Sequence, residues 1–273
     1  MHTHGFGKSG LRPSGAVNAR TILKLAKLHN TSNPTLIFPT VYTSSIEDMR
    51  AAMAACLEAM QASDLIGGIN LEGPFLNPSR CGALSQKHFL APSLSAFKKL
   101  VSGFEDAIKI ITIAPELPGA LKLIERCASM GIRVTMGHSD ATYKGALAGK
   151  KAGATGATHL FNAMRPFHHR EPGLAGFALL DEDIYVELIG DGAHVSPEAV
   201  RMVFKMKGPN RVLLVSDSVK GKTGKPVMKN GKLMGGGLTL SECVPLLIKM
   251  GIGPEEIRKA AHDNPLRYLG IRS

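Results

Sequence analysis

The chain is predicted to be an α/β protein of the (β/α)8, TIM-like barrel type. Three observations carry that expectation. Seven short apolar runs alternate with helical patterns along 273 residues. The runs are continuously apolar, as strands of a parallel sheet covered on both faces must be. Polar residues suited to chemistry cluster behind their C-terminal ends, where such a barrel places its active site. A doubly wound open sheet is the alternative, but the Gly-x-Gly-x-x-Gly turn after its first strand is missing. Residues 1–273 are assigned to one barrel domain.

The elements follow in order. His2 and His4 alternate, so in a strand they face one side, and Gly5 and Gly7 let the chain turn. No strand body precedes them. They are expected to be the tip of a truncated first strand, with the natural product longer than this chain. Residues from about Gly15 to Asn30 read as a helix with Ile22, Leu25 and Leu28 on one side. Pro34 to Tyr42 reads as a buried strand. Ser44-x-x-Glu47 is a capping box. It opens a helix with Met49, Met53, Cys56, Leu57 and Met60 at helical spacing, a core stripe. Leu65 to Gly73 is a strand stopped by Pro74. Phe75 to Pro92 is a long loop, Leu94 to Phe104 a helix and Ile108 to Ala114 a strand. The helix around Leu117 to Met130 is expected to bury Leu121, Ile124 and Ala128. Arg133 to Gly137 and Gly156 to His159 are strands with an Ala/Gly-rich helix between them. Ile184 to Gly190 and Arg211 to Ser216 complete the set. Ser196-Pro197, Thr239-x-x-Glu242 and Pro254 open the last helices.

Composition narrows the function. The chain is 44% apolar, yet no run of eighteen apolar residues occurs, so no membrane span is expected. No secretory signal is recognisable. The formal charge is +11, but the basic residues are dispersed and aromatics make up only 5%. That spread argues against a nucleic-acid partner and fits a surface that attracts a small anionic substrate. Cys56, Cys81, Cys127 and Cys243 form no Cys-x-x-Cys pair. Reduced thiols in a cytoplasmic protein are the expectation.

The chemistry centres on Thr135 to Met164. Two apolar runs there end in His138 and His159, so both imidazoles leave one end of a parallel sheet and can hold a metal ion. Glu72, at another strand end, would complete a two-histidine, one-carboxylate set with room for water. His2 and His4 offer a second pair near Glu72, which could then bridge two ions. Asp217 ends the last strand and is placed to carry the proton between water and leaving group. His194 is a rim residue expected to touch substrate. Arg170 is a candidate anion partner, since guanidinium matches phosphate geometry. Asn162 and Ala163 could offer an amide and a backbone N–H to the same anion. His168 and His169 read as solvated loop residues facing different ways.

Six strings taken together resemble the N-acetylglucosamine-6-phosphate deacetylase family of metal-dependent amidohydrolases. They are L-E-G-P-F-L (71–76), G-H-S-D-A-T (137–142), T-H-L-F-N-A-M (158–164), R-E-P-G-L-A-G (170–176), D-G-A-H-V (191–195) and S-D-S (216–218). The resemblance implies hydrolysis of the acetamide of N-acetylglucosamine 6-phosphate to glucosamine 6-phosphate and acetate. It puts metal ligands on Glu72, His138 and His159, with His2 and His4 as in members that use two ions. It puts the catalytic aspartate on Asp217 and substrate contacts on His194, Asn162 and Ala163. Arg170 falls on a phosphate arginine supplied across a homodimer. The implied cofactor is a divalent ion, Zn2+ first, with Fe2+, Mn2+ or Co2+ as alternatives, one or two per chain.

Departures stand beside the likeness. The family's aspartate ahead of His-x-His and its small β-sandwich domain have no counterpart in the chain. The family's Lys-Gly-Ala-His loop is Arg80-Cys81-Gly82-Ala83-Leu84, and Leu84 cannot donate a hydrogen bond. Losing such a donor costs about 10²–10³ in rate when nothing replaces it. Two alternatives stay open: an amidohydrolase for another N-acylated amino sugar or cyclic amide, or a catalytically impaired relative that binds without turnover.

Overall fold

A computed structural model describes residues 2–11, 17–30 and 36–271 of the chain. The outer parts of two expected elements, Gly15–Ala16 and Pro34–Thr35, lie outside the described residues. The first elements are a small antiparallel hairpin, β1 (Gly5–Phe6) and β2 (Ser9–Gly10), and helix α1 (Ala19–His29). Seven parallel strands follow: β3 (Thr40–Tyr42), β4 (Ile69–Glu72), β5 (Ile108–Ile113), β6 (Arg133–Met136), β7 (Gly156–Ala157), β8 (Tyr185–Ile189) and β9 (Val212–Val215). They lie side by side in chain order in one sheet. Between them run α2 (Ile46–Ala62), α3 (Leu94–Val101), α4 (Ala120–Ser129), α5 (Tyr143–Lys151), α6 (Gly173–Leu180) and α7 (Pro197–Lys207).

The sheet curls until its outermost strands approach the same three residues. Thr3 bridges in parallel to Pro39 beside β3 and to Ser218 beyond β9. Thr40 N–H donates to the Thr3 carbonyl at 2.8 Å, and His4 N–H donates to the Ser218 carbonyl at 2.8 Å. The barrel expected from the sequence is thus closed at its C-terminal rim by His2–His4. Below this bridge a cavity of about 740 Å³ opens, lined by Phe38, Leu214, Leu240, Val244, Ile257 and Leu266 among others.

Local chemistry explains most boundaries. Asn18, Ser45, Ser93, Thr142, Ser196 and Thr239 cap the helices that follow them. The Thr239/Glu242 box forms as expected at α8 (Leu240–Lys249). The Ser44/Glu47 box does not form. Ser44 is buried at the strand exit, and Ser45 caps α2 instead by accepting from Asp48 N–H at 3.1 Å. The expected burial in α4 also shifts. The helix starts at Ala120, and Ala120, Leu123, Ile124 and Cys127 form its inward stripe, the i, i+3, i+4, i+7 pattern. Leu121 is 38% exposed. Helix α6 was not anticipated, because G-L-A-G-F-A-L-L has no polar face to reveal a period; seven of its eight residues are buried.

After β9 the chain makes a second hairpin, β10 (Val227–Lys229) and β11 (Lys232–Gly235). Its turn is Asn230-Gly231, both with positive φ (51° and 74°), the backbone a two-residue hairpin prefers. The chain ends in α9 (Pro254–Arg258), a π-helical turn at Lys259–Asp263 and α10 (Asn264–Leu269). Among the described residues no helix is long and apolar enough to cross a membrane.

The barrel interior beneath the rim is partly polar. The hydroxyls of Thr112, Thr135 and Thr158 bond to one another at 2.7–3.2 Å. Each is buried, so their mutual bonds prevent three unsatisfied groups.

Candidate metal centre and cleft

Glu72 is the last residue of β4. His138, His159 and Asp217 each stand two residues beyond the end of β6, β7 and β9. All three have positive φ, at 45°, 28° and 41°. Such backbone costs a non-glycine residue roughly 1–3 kcal/mol, and it persists here where the side chains converge. Gly82 permits that convergence from above. Its φ is +56°, and a Cβ there would sit 3.2 Å from His138 Cε1.

Two donor groups result. Glu72 Oε1 lies 3.0 Å from His138 Nε2 and 3.1 Å from His159 Nε2, and the two nitrogens are 3.2 Å apart. His2 Nε2 and His4 Nε2 are 3.3 Å apart, each 3.6 Å from Asp217 Oδ1. Glu72 joins the groups, since its Oε2 lies 3.1 Å from His4 Nε2. A tetrahedral ion with ligands about 2.0–2.1 Å away has edges of about 3.3 Å.

The tautomers fit the same reading. His4 Nδ1 donates to the Thr40 carbonyl at 2.8 Å, and His138 Nδ1 to the Arg80 carbonyl at 2.9 Å. His2 Nδ1 donates to Glu187 Oε2 at 3.0 Å. With those protons on Nδ1, the Nε2 atoms present lone pairs to the Glu72 carboxylate and to one another. Such a gathering of acceptors, buried together, calls for a cation, and the oxygen and imidazole donors suit a divalent metal. Without an ion the demand for positive charge falls on a proton. Burial disfavours charge on His2, but Glu187, Glu72 and Asp217 outweigh it and lift its pKa well above the ordinary histidine value. Burial likewise works against the Glu72 charge, yet His4, His138, His159 and His2 hold its pKa well below the usual carboxylate range.

A cleft of about 220 Å³ opens onto this centre. Its walls include Asp217, His194, Asn162, Ala163, Leu84 and Tyr42, and the hairpin residues Lys232 to Gly235. His194 Nδ1 donates to Asp191 Oδ2 at 2.8 Å, and its Nε2 lies 4.0 Å from Asp217 Oδ2. Burial opposes a charge on His194, but the Asp191 bond and the nearby Asp217 raise its pKa overall.

The sequence candidates therefore divide. Glu72, His138, His159, His2, His4, Asp217, His194, Asn162 and Ala163 meet at one place. Arg170 does not line this cleft. It is exposed, with Nη1 2.9 Å from His169 Nε2. Its neighbour Glu171 accepts from the backbone N–H groups of Tyr143 and Gly173. His168 and His169 do not face apart; their ring centroids are 4.3 Å apart.

Sequence reasoning missed Glu187, Asp191 and Tyr42, whose ring stacks on His4 with centroids 3.7 Å apart. It also missed the cleft-facing hairpin, for which Asn230-Gly231 was an available signal.

No family model matches the chain. Over 170 residues it is 42% identical to the N-acetylglucosamine-6-phosphate deacetylase of Bacillus subtilis (strain 168), a match covering 60% of this chain and 43% of that protein. It is 35% identical over 195 residues to the enzyme of that description from Lysinibacillus sphaericus, covering 65% and 50%. The chain spans about half the length of these curated relatives. Among solved structures it resembles the N-acetyl-D-glucosamine-6-phosphate deacetylase of Mycobacterium smegmatis in complex with N-acetyl-D-glucosamine-6-phosphate. That match has a TM-score of 0.91 at 29% identity and covers 99% of this chain and 76% of the other.

Proposed function

We propose that this chain, a member of the N-acetylglucosamine-6-phosphate deacetylase family of amidohydrolases, hydrolyses the acetamide of N-acetylglucosamine 6-phosphate. The products are glucosamine 6-phosphate and acetate. The observation that carries this reading is the position of Asp217. Its Oδ1 faces His2 and His4 at 3.6 Å, and its Oδ2 lies 4.0 Å from His194 in the cleft. It is the carboxylate through which donor groups and cleft communicate.

Glu72, His138 and His159 would hold one divalent ion, and His2, His4 and Asp217, with Glu72 shared, a second. Zn2+ is the first choice, with Fe2+, Mn2+ and Co2+ as alternatives. Bound there, such ions supply Lewis acidity toward the amide carbonyl and bring the pKa of a water nucleophile toward neutrality. Asp217 accepts the proton as water attacks the acetyl carbon, and returns it to nitrogen as the C–N bond breaks. His194, fixed by Asp191, donates from Nε2 toward the substrate. Asn162 and Ala163 bound the sugar side. Leu84 offers no hydrogen bond to the carbonyl, so polarisation of that oxygen would rest on ions held by Glu72 and the four histidines.

Arg170 reaches phosphate only from a second copy, because it lies outside the cleft of its own chain. A homodimer is therefore part of the proposal. A cytoplasmic setting is also proposed, supported by four unpaired thiols, three of them buried with pKa values pushed up to about 12.

The test is acetate release from N-acetylglucosamine 6-phosphate by metal-loaded chain, with Asp217→Asn beside wild type. Wild-type turnover with a loss of about 10²–10⁴ in kcat for the variant is expected. Equal turnover in the two would remove Asp217 from the reaction. Release only from other N-acylated sugars would move the substrate.

A further inference from the structure

Glu187 is a buried carboxylate that the proposed reaction leaves unused. It sits within β8, in the apolar run I-Y-V-E-L-I, and is 1% exposed. A carboxylate at that depth is costly unless its charge is matched. Its contacts are specific. Oε2 accepts from His2 Nδ1 at 3.0 Å and from the His159 backbone N–H at 3.3 Å. The Glu187 carbonyl accepts from Leu160 N–H at 2.8 Å. One residue thus holds the turn carrying His159 by main chain and side chain, and fixes the ring of His2 from 185 residues away.

The other anchored rings differ. His4 and His138 give their Nδ1 protons to backbone carbonyls. Among the histidines of the two donor groups, His2 alone gives its proton to a carboxylate. Such a partner fixes the tautomer, orients the ring and strengthens the opposite nitrogen as a ligand. Two buried polar atoms, Glu187 Oε1 and His159 Nδ1, have no hydrogen-bond partner among the described residues, so the acid retains an unused acceptor. With Glu72 and Asp217 it brings three carboxylates to one centre, a charge that two divalent ions match better than one.

We infer that Glu187 is a positioning residue of the centre: it aims His2 Nε2 at the His4/Asp217 donors, and thereby sets the affinity of that second ion site. The inference rests on the metal-centre reading and not on the identity of the substrate. The Glu72/His138/His159 group depends on it only through the His159 turn.

Cobalt titration of chelator-stripped protein tests this without substrate. Wild type, Glu187→Gln and Glu187→Asp are compared by bound Co2+ per chain and visible absorption, with the melting temperature of each metal-free protein as a check on folding. Wild type should take up two ions. Glu187→Gln keeps the volume and removes the charge. It should bind the first ion as wild type does and the second roughly 10- to 100-fold more weakly, the usual effect of losing a partner behind a ligand. The absorption of the second ion should fall with it, and Glu187→Asp should recover part of the loss. Two ions bound unchanged by Glu187→Gln would overturn the inference, as would equal weakening of both or a single ion in wild type. Wild-type cobalt binding as expected, with no acetate release, would leave Glu187 in place and remove the deacetylase reading instead.

Discussion

The two donor groups that share Glu72 are built in opposite ways. Glu72, His138 and His159 stand at the ends of β4, β6 and β7, strands of one continuous sheet. Their donor atoms lie 3.0–3.2 Å apart. His2, His4 and Asp217 meet at the seam, where three residues bridge β3 and the exit of β9. Their donor atoms lie 3.3–3.6 Å apart. In the first group the sheet makes the site. In the second, the residues that would bind the ion also close the sheet. Metal binding, if it occurs there, would therefore be coupled to barrel closure at the seam and not elsewhere.

Removing the shared ligand attacks both sides at once and should have the largest effect. Glu72→Gln should leave less than one tightly held ion per chain by elemental analysis and reduce turnover by more than about 10⁴, beyond the usual loss of a single proton carrier. Retention of two ions in that variant would break the comparison.

Chelation should separate the two regions. An ion held at 100 times its Kd stabilises by about 2.7 kcal/mol, and at the seam that stabilisation acts on closure. Hydrogen exchange after metal removal should accelerate at residues 2–10 and 216–219 while the amides of β5 and β6 stay protected. Uniform acceleration would mean that the seam has no special status.

Arg170→Ala should touch neither group. The expected change is confined to KM for the phosphorylated sugar, a rise of roughly tenfold for a charge-assisted contact of about 1.5 kcal/mol. Metal content should not change, and an unphosphorylated sugar should be handled as before.

The last effect acts on stability and concerns acid. His29 lies beneath the bridge, with Nε2 3.3 Å from Thr3 Oγ1 and 3.4 Å from Ser218 Oγ. Burial pushes its pKa down to about 4. The unfolded chain therefore binds this proton first as pH falls below about 6.5, and the folded chain only near 4. Stability is present above that window and lost through it, by an upper limit of roughly 3 kcal/mol. Urea denaturation of stripped protein at pH 4.5 and 7 should show a smaller acid loss in His29→Gln than in wild type.

Much of this was legible in the chain. The seven strands showed themselves as apolar runs, and Glu72, His138, His159 and Asp217 as the polar residues interrupting them. His2 and His4 were legible through their alternation alone. What stayed hidden did so for physical reasons. Glu187 is a charge inside a strand, and only the fold shows which residues from distant strands neutralise it. Helix α6 is buried on all sides, so no period marks it. Leu121 was misplaced because α4 begins later than the apolar pattern alone requires. The exclusion of Arg170 from its own cleft depends on a loop path that no local pattern encodes.

The positive φ values at His138, His159 and Asp217 have a consequence for anyone redesigning this chain. Glycine would occupy those three backbone positions with less strain. A search for heat resistance that ignores turnover would be drawn to them, and each gain in melting temperature would delete a group from the centre. Stability–activity conflict is expected at such strained sites. These three codons should be locked before any thermostability library is built.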